Sequence, residues 1–162
     1  MNTEYRTFQK GFTLLEFLIA LALMILLVGA ALPLYGNLLW TTQLHETALR
    51  AVGDIRLARE LSVARKDDSQ YGVYLDVNPV GTDRLIFFRG GSYGGRNPSY
   101  DRVTTFSDLI LLQKVLSGGG SQIVFSKNAG IPSATGTITI THTGSNTTRA
   151  IIVNAYGMVD SQ

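Results

Sequence analysis

The chain has 162 residues and a formal net charge of +2, so it has no strong electrostatic preference for nucleic acid or for an anionic membrane surface. It contains no cysteine, which excludes disulfide bonds and thiolate metal sites. Hydrophobic residues make up 45% of the chain, but much of that content precedes Trp40, which leaves a modest core for one further domain.

A long apolar run follows a short, mildly basic segment at residues 1–11. No charged side chain occurs from Phe17 to Leu34. As a helix, Phe12–Leu34 would be about 35 Å long, enough to cross a hydrocarbon core of about 30 Å. The run therefore predicts a transmembrane helix, and Arg6 and Lys10 favour a cytoplasmic position for residues 1–11.

Glu16 is the anomaly of this run, because a carboxylate inside hydrocarbon costs on the order of 2.5–3.5 kcal/mol. One interpretation places Glu16 near the membrane interface, where its side chain reaches water. The other gives it a positively charged partner. A free α-amino group created by cleavage between Gly11 and Phe12 would serve, either on the same chain or on a neighbouring subunit.

The stretch Gly11-Phe12-Thr13-Leu14-Leu15-Glu16 resembles the class III leader junction of type IV pilins and type II secretion pseudopilins. The resemblance implies cleavage after Gly11 by a prepilin peptidase and N-methylation of Phe12. It also implies a glutamate at the fifth mature position, which is Glu16. Pro33 matches a proline often found in these helices, so the resemblance implies that Glu16 and Pro33 contribute to assembly.

A conventional secretory signal peptide cut near Val28–Ala31 is the rival interpretation, and it would leave a secreted binding domain. A simple membrane anchor carrying a binding domain is a second rival. Against the signal peptide, the run is longer than a usual apolar signal region, and Glu16 would interrupt its beginning.

The next segment, from Asn37 to about Ala64, has the period of a helix with one buried face. Most charged residues, Asp54 among them, fall outside that face, and Lys66–Ser69 ends the helix. The stretch Arg56–Ala64 resembles the corresponding helix of the GspH/FimT group of minor pilins and pseudopilins. The buried face consists of Leu44, Ala48, Val52, Ile55, Ala58 and Leu61.

Alternating apolar residues then predict strands joined by short turns, as in an antiparallel sheet. Gly90–Pro98 is predicted as a glycine-rich, flexible loop. The predicted strands lie at Tyr71–Val77, Leu85–Phe88, Val103–Phe106, Leu109–Leu116, Ile123–Phe125, Thr137–Thr141 and Ala150–Val153, with a last one around Met158; Leu109–Leu116 also fits a buried helical turn.

The order of the C-terminal motifs resembles the end of a GspH/FimT domain. These motifs are Ile123–Phe125 with Gly130, Gly136–Ile140, Arg149–Asn154 and Gly157. The resemblance implies an α+β fold in which a long N-terminal transmembrane and amphipathic helix packs on an antiparallel β-sheet domain. The predicted segments are a leader (1–11), an assembly helix (12–36), an amphipathic helix (37–66) and a β-rich domain (67–162).

The sequence offers little catalytic chemistry, and we expect no enzyme activity, cofactor or metal. His45 and His142 lack ligand spacing and are predicted to lie on the surface or on a helix face. The carboxylates of Asp67, Asp68, Asp76 and Asp83 lack the spacing of a calcium loop and are predicted to lie in solvated turns.

Arginines and aromatic residues alternate after the second predicted strand, a pattern that suits contact with phosphates and bases. Some FimT-like minor pilins bind DNA, so DNA uptake is an alternative function, with Arg89, Arg96 and Arg102 as candidate contacts. Against it, nearby aspartates dilute the charge, and Met158–Gln162 carries no basic residue. The full set is Arg84, Arg89, Arg96 and Arg102 with Phe87, Phe88, Tyr93 and Tyr100.

The function implied by the resemblance is that of a structural minor subunit of a type IV pilus or a type II secretion pseudopilus. Its expected partners are other pilin subunits, the prepilin peptidase, the inner-membrane assembly platform and membrane lipid. The expected location is the bacterial cytoplasmic membrane, with the globular domain outside the cytoplasm, and then the filament.

Overall fold

The computed structural model describes residues 11–162, apart from the side chains of residues 31–35 and 37. The chain divides into two compact units, residues 1–38 and 39–162. One helix, α1, runs over Leu14–Val63 and belongs to both units. The predicted leader lies outside the described residues except for Gly11, and the finer division into four segments remains a prediction.

Within residues 39–162, α1 buries the face that its period predicts. Leu44, Ala48, Val52, Ile55 and Ala58 are all buried in the core, whereas Leu61, the last residue of the predicted face, is only partly buried. The helix ends three residues before the predicted Lys66–Ser69 stop. It is followed by Arg65 with φ 50° and a short 3-10 turn at Lys66–Asp68, two conformations that break the helical hydrogen-bond pattern.

Four antiparallel strands form the first sheet, in the spatial order β3-β2-β1-β5. Each of these strands overlaps a predicted one, although Val77 lies outside β1 and is exposed, and Phe106 lies outside β3 but is buried. The strands are β1 (Tyr71–Asp76), β2 (Arg84–Arg89), β3 (Arg102–Thr105) and β5 (Gln122–Phe125).

Four further antiparallel strands form a second sheet, in the order β4-β6-β7-β8, whereas the sequence predicted one sheet. The ambiguous segment is a strand, because all seven of its residues pair with β6. The strands are β4 (Ile110–Leu116), β6 (Gly136–His142), β7 (Thr147–Val153) and β8 (Val159–Ser161).

One hydrophobic core joins α1 to both sheets within residues 39–162. It includes Ile55 from the helix, Leu75 and Phe125 from the first sheet, and Ile138 and Ile151 from the second, all fully buried. Complete burial of an apolar side chain of this size contributes about 1.5–3 kcal/mol. The predicted helix-on-sheet α+β fold is confirmed, with two sheets where one was expected.

The Asp83 side chain joins the β1–β2 connection to β4 by hydrogen bonds. Its burial shows that the prediction of a solvated turn was wrong at this residue. Its side chain is buried, and its two carboxylate oxygens accept hydrogen bonds from the backbone N–H groups of Asn78 (2.8 Å) and Leu112 (2.7 Å). Charge-assisted bonds of this kind are stronger than neutral ones. Asp83 therefore links the loop before β2, in the first sheet, to β4 in the second sheet.

Candidate functional site

Thr13 caps the first turn of α1 and also bonds to the side chain of Glu16. The backbone N–H of Glu16 donates to Thr13 Oγ1 (3.2 Å), and that hydroxyl lies 3.4 Å from Glu16 Oε2, to which it donates. The pair satisfies part of the unpaired backbone at the helix start, and the carboxylate suits the positive end of the helix dipole. Sequence reasoning missed Thr13, although the Thr-x-x-Glu spacing signals such a cap.

The predicted cleavage junction lies immediately before this capped turn. Gly11 and Phe12 are exposed and precede the first helical residue, and the Phe12 side chain is 74% exposed. Among the described residues, Glu16 has no basic side chain as an ion-pair partner. The geometry therefore leaves this carboxylate available to an amine supplied from outside the described part of the chain.

The first part of α1 presents apolar side chains on every side. All large apolar side chains from Leu14 to Val28 are at least 45% exposed. A continuous apolar surface of this extent marks a contact with lipid or with protein. The backbone at Pro33 belongs to the helix, but its side chain lies outside the described residues, so its role in assembly remains a prediction.

Three of the family-like motifs meet where α1 ends, and steric fit explains their residue types. Arg59 lies against Gly130 and Gly157, whose φ angles are 63° and 74°. A Cβ atom on Gly157 would lie 2.3 Å from the Gly130 carbonyl oxygen and 2.8 Å from Arg59 Nε. Residues with a side chain are disfavoured at such φ angles even without crowding.

The four arginines of the predicted DNA-contact region are paired within the chain. Arg89 pairs with Asp67 (3.3 Å), Arg96 with Asp101 (2.7 Å) and Arg102 with Asp54. The remaining one, Arg84, pairs with Asp76. The hydrogen bond to Asp101 raises the pKa of the Arg96 guanidinium above its usual value.

The aromatic residues of this region pack inside the protein or against these arginines. Phe87 and Phe88 are buried, while Arg96 lies 3.6 Å above the Tyr93 ring centre and Arg89 lies 4.7 Å above that of Tyr100. DNA contact by Arg89, Arg96 and Arg102 remains a prediction. Because each of these arginines pairs with an aspartate, less unpaired positive charge is available for DNA than the sequence suggested.

The glycine-rich loop is held by specific contacts, and its flexibility remains a prediction. The backbone N–H of Gly90 donates to the Gln70 carbonyl (2.8 Å), and that of Tyr93 donates to Gln122 Oε1 (2.8 Å). The Tyr93 ring stacks on Tyr74 with their centres 3.9 Å apart. The loop is therefore part of the folded surface of the first sheet.

Two buried polar residues correct the sequence predictions further. His142 is fully buried, with its ring centre 5.8 Å from that of Trp40, whereas His45 is exposed as predicted. Asp54 is also buried, although the sequence placed it outside the buried helix face. Among the described residues, no cluster of His, Asp or Glu is arranged to hold a metal ion.

Comparisons with known proteins found one similarity at the start of the chain and one to its fold. Residues 6–32 match the model of the prokaryotic N-terminal methylation motif. A solved structure, that of the minor pseudopilin EpsH from the type 2 secretion system of Vibrio cholerae, matches with a TM-score of 0.57 and 17% identity. The match covers 74% of this chain and 96% of the EpsH chain.

No curated protein sequence matches the chain significantly. The methylation motif includes the junction at Gly11 and the first part of α1. The likeness to EpsH shows the fold of the matched 74% of the chain. The chain therefore has a prokaryotic N-terminal methylation motif at its start and shares its fold with a minor pseudopilin.

Proposed function

We propose that this protein is a structural minor subunit of a type IV pilus or a type II secretion pseudopilus. A prepilin peptidase cleaves it between Gly11 and Phe12, and the new α-amino group of Phe12 is methylated. One observation carries the proposal: the methylation motif leads directly into a capped helix with an exposed apolar surface, and the same helix continues into a domain of pseudopilin fold.

The apolar first part of α1 suits two successive environments. Before assembly it lies in the cytoplasmic membrane, and in the filament it packs against the same part of neighbouring subunits. Lipid tails and apolar side chains are similar surroundings, so transfer from one to the other needs little net hydrophobic energy. The inner-membrane assembly platform carries out this transfer.

The membrane step of this proposal is based on the uncharged run from Phe17 to Leu34 in the sequence. Across the described residues, none of the helices combines the length and the apolar character that a membrane span requires.

Glu16 determines the register of the proposed helix bundle. Its capping bond with Thr13 orders the first turn, and its charge is neutralised by the α-amino group of Phe12 on a neighbouring subunit. A carboxylate left unpaired in an apolar bundle is strongly unfavourable, so subunits shifted along the bundle are rejected.

Two substitutions separate the charge of Glu16 from its capping bond. Glu16→Gln keeps an oxygen that accepts the Thr13 hydroxyl but removes the charge, whereas Glu16→Ala removes both. We expect both variants to enter the membrane and to reach sheared filaments at about one tenth of the wild-type level, since breaking a buried ion pair is costly.

Quantitative mass spectrometry of the filament and membrane fractions from the native host gives the measurement. Glu46→Gln, an exposed glutamate further along the same helix, is the matched control and should assemble normally. Wild-type assembly of Glu16→Gln would show that the charge has no role in register. The side-chain hydrogen bond with Thr13 would then be the one remaining role of this residue.

A further inference from the structure

Arg56 and Arg59, in the last turns of α1, have no carboxylate partner among the described residues, as is also true of Arg50 and Arg149. In the described part of the chain, Arg65, Arg84, Arg89, Arg96 and Arg102 each form an ion pair with an aspartate. Arg56 and Arg59 form none and donate to backbone carbonyl oxygens instead.

Their hydrogen bonds leave most of their donors unused. Arg56 donates from Nη2 to the Val159 carbonyl (2.7 Å), and Arg59 donates from Nη2 to the Tyr156 carbonyl at a long 3.5 Å. Arg59 Nε is buried without a partner among the described residues. A guanidinium carries five N–H donors in a fixed fork that matches a carboxylate. Both side chains therefore have free donors with which to bind a carboxylate.

These arginines line a pocket of about 310 Å³, here called the Arg56–Arg59 pocket, together with Glu60, Gly157, Met158 and Val159. Two guanidinium groups face one carboxylate there, which leaves one positive charge unmatched. Glu60 forms no ion pair with either arginine. A single additional carboxylate would make the pocket neutral.

Exposed apolar side chains lie on the chain segments that form this pocket. Met158 lines the pocket and is 60% exposed, and its near neighbour Tyr156 is 76% exposed. Ile131 is 55% exposed and follows Gly130, which lies against Gly157 and Arg59. A small anion would leave this apolar surface in water, whereas an acidic side chain carried by a protein would cover it.

We propose that the Arg56–Arg59 pocket binds an aspartate or glutamate side chain of a neighbouring pilin-like subunit, with Ile131, Tyr156 and Met158 as the apolar rim of that contact. The inference depends on the proposed function, since it assigns the filament contact of the globular domain. The contact is separate from the one at Glu16, because it lies at the other end of α1.

A zero-length cross-link tests the contact in the full-length protein. Arg56→Lys keeps the positive charge and introduces an amine, which a water-soluble carbodiimide joins as an amide to a carboxylate in contact with it. We expect mass spectrometry of cross-linked filaments from the native host to find position 56 joined to an aspartate or glutamate of another subunit. Arg149→Lys, at an exposed position on β7 outside the pocket, should not give that cross-link.

A second measurement uses charge reversal. With Arg56→Glu and Arg59→Glu combined, the amount of neighbouring subunit isolated with the protein should fall about tenfold, as loss of a buried charge pair predicts, while Arg149→Glu changes it little. Fluorescence of Trp40 during urea unfolding checks that the variants fold.

The outcomes distinguish this inference from the proposed function. If the wild-type protein is isolated with other pilin subunits but position 56 joins only Glu60 or nothing, the inference is wrong and the proposed function stands. Normal co-isolation of the doubly reversed variant also overturns the inference alone. If the wild-type protein is isolated with no pilin subunit, the proposed function fails, and the inference fails with it.

Discussion

Gly130 and Gly157 determine how the end of α1 meets the turn between β7 and β8. Both have positive φ angles, and both lie against the Arg59 side chain. Gly119 provides a useful contrast, because its φ is 68° but a Cβ atom there would meet nothing within 4 Å. Alanine substitutions at Gly119 and Gly157 therefore separate the free-energy cost of the left-handed backbone from the cost of crowding.

Gly157→Ala should destabilise the protein more than Gly119→Ala. Each change costs about 1–2 kcal/mol for the left-handed backbone, and the crowded site adds about 1–3 kcal/mol. Urea unfolding of the full-length protein in mild detergent, followed by the fluorescence of its single tryptophan, measures both. Equal losses would mean that the end of α1 relaxes around the added methyl group, and that the close packing of Arg59 has no energetic role.

Single residues were the hardest level to predict from the sequence. The leader motif and Glu16 could be recognised because their spacing is local. The burial of His142, Asp54 and Asp83 could not, because their partners Trp40, Arg102 and Leu112 are distant in sequence. A polar residue is expected on the surface until the fold supplies a partner.

Among the elements, β3 is an edge strand that a half-buried ion pair connects to α1, since the Arg102 side chain is 53% exposed and that of Asp54 is not. Arg102 on β3 pairs with Asp54 on the helix, and Thr104 Oγ1 donates to the same carboxylate (3.0 Å). The Asp54 side chain is only 10% exposed, whereas Arg84 and Asp76 form a pair with exposures of 47% and 27%. Removing the arginine therefore has different consequences in the two pairs.

Arg102→Met should lower the free energy of unfolding by about 2 kcal/mol, because Asp54 would stay buried without a counter-charge. Arg84→Met should lower it by less than about 1 kcal/mol, as is usual for exposed pairs. Chemical denaturation of both variants under the same conditions makes the comparison. A loss for Arg102→Met as small as that for Arg84→Met would show that Thr104 and solvent satisfy Asp54.

Elements as such were largely predictable. The change from helical to alternating period located the end of α1 within a few residues, and every strand of the structure overlaps or adjoins a predicted one. Their division into two sheets was not predictable, because β4 joins β6 rather than the strands before it. Such pairings depend on contacts between distant residues, for which a single sequence carries no local signal.

For the whole molecule, the account depends on processing at one peptide bond. Under the proposed function, the apolar part of α1 serves in assembly only after the leader is removed and the α-amino group of Phe12 is free to meet a carboxylate. The pseudopilin fold alone would equally suit a protein that stays permanently anchored by an uncut leader.

Mass spectrometry of the N-terminal peptide of the mature protein, isolated from its native host, tests this claim most directly. The account predicts a chain that begins at Phe12 and carries a methyl group on its α-amino nitrogen. A chain that still begins at Met1, or that begins after Ala31, would contradict it.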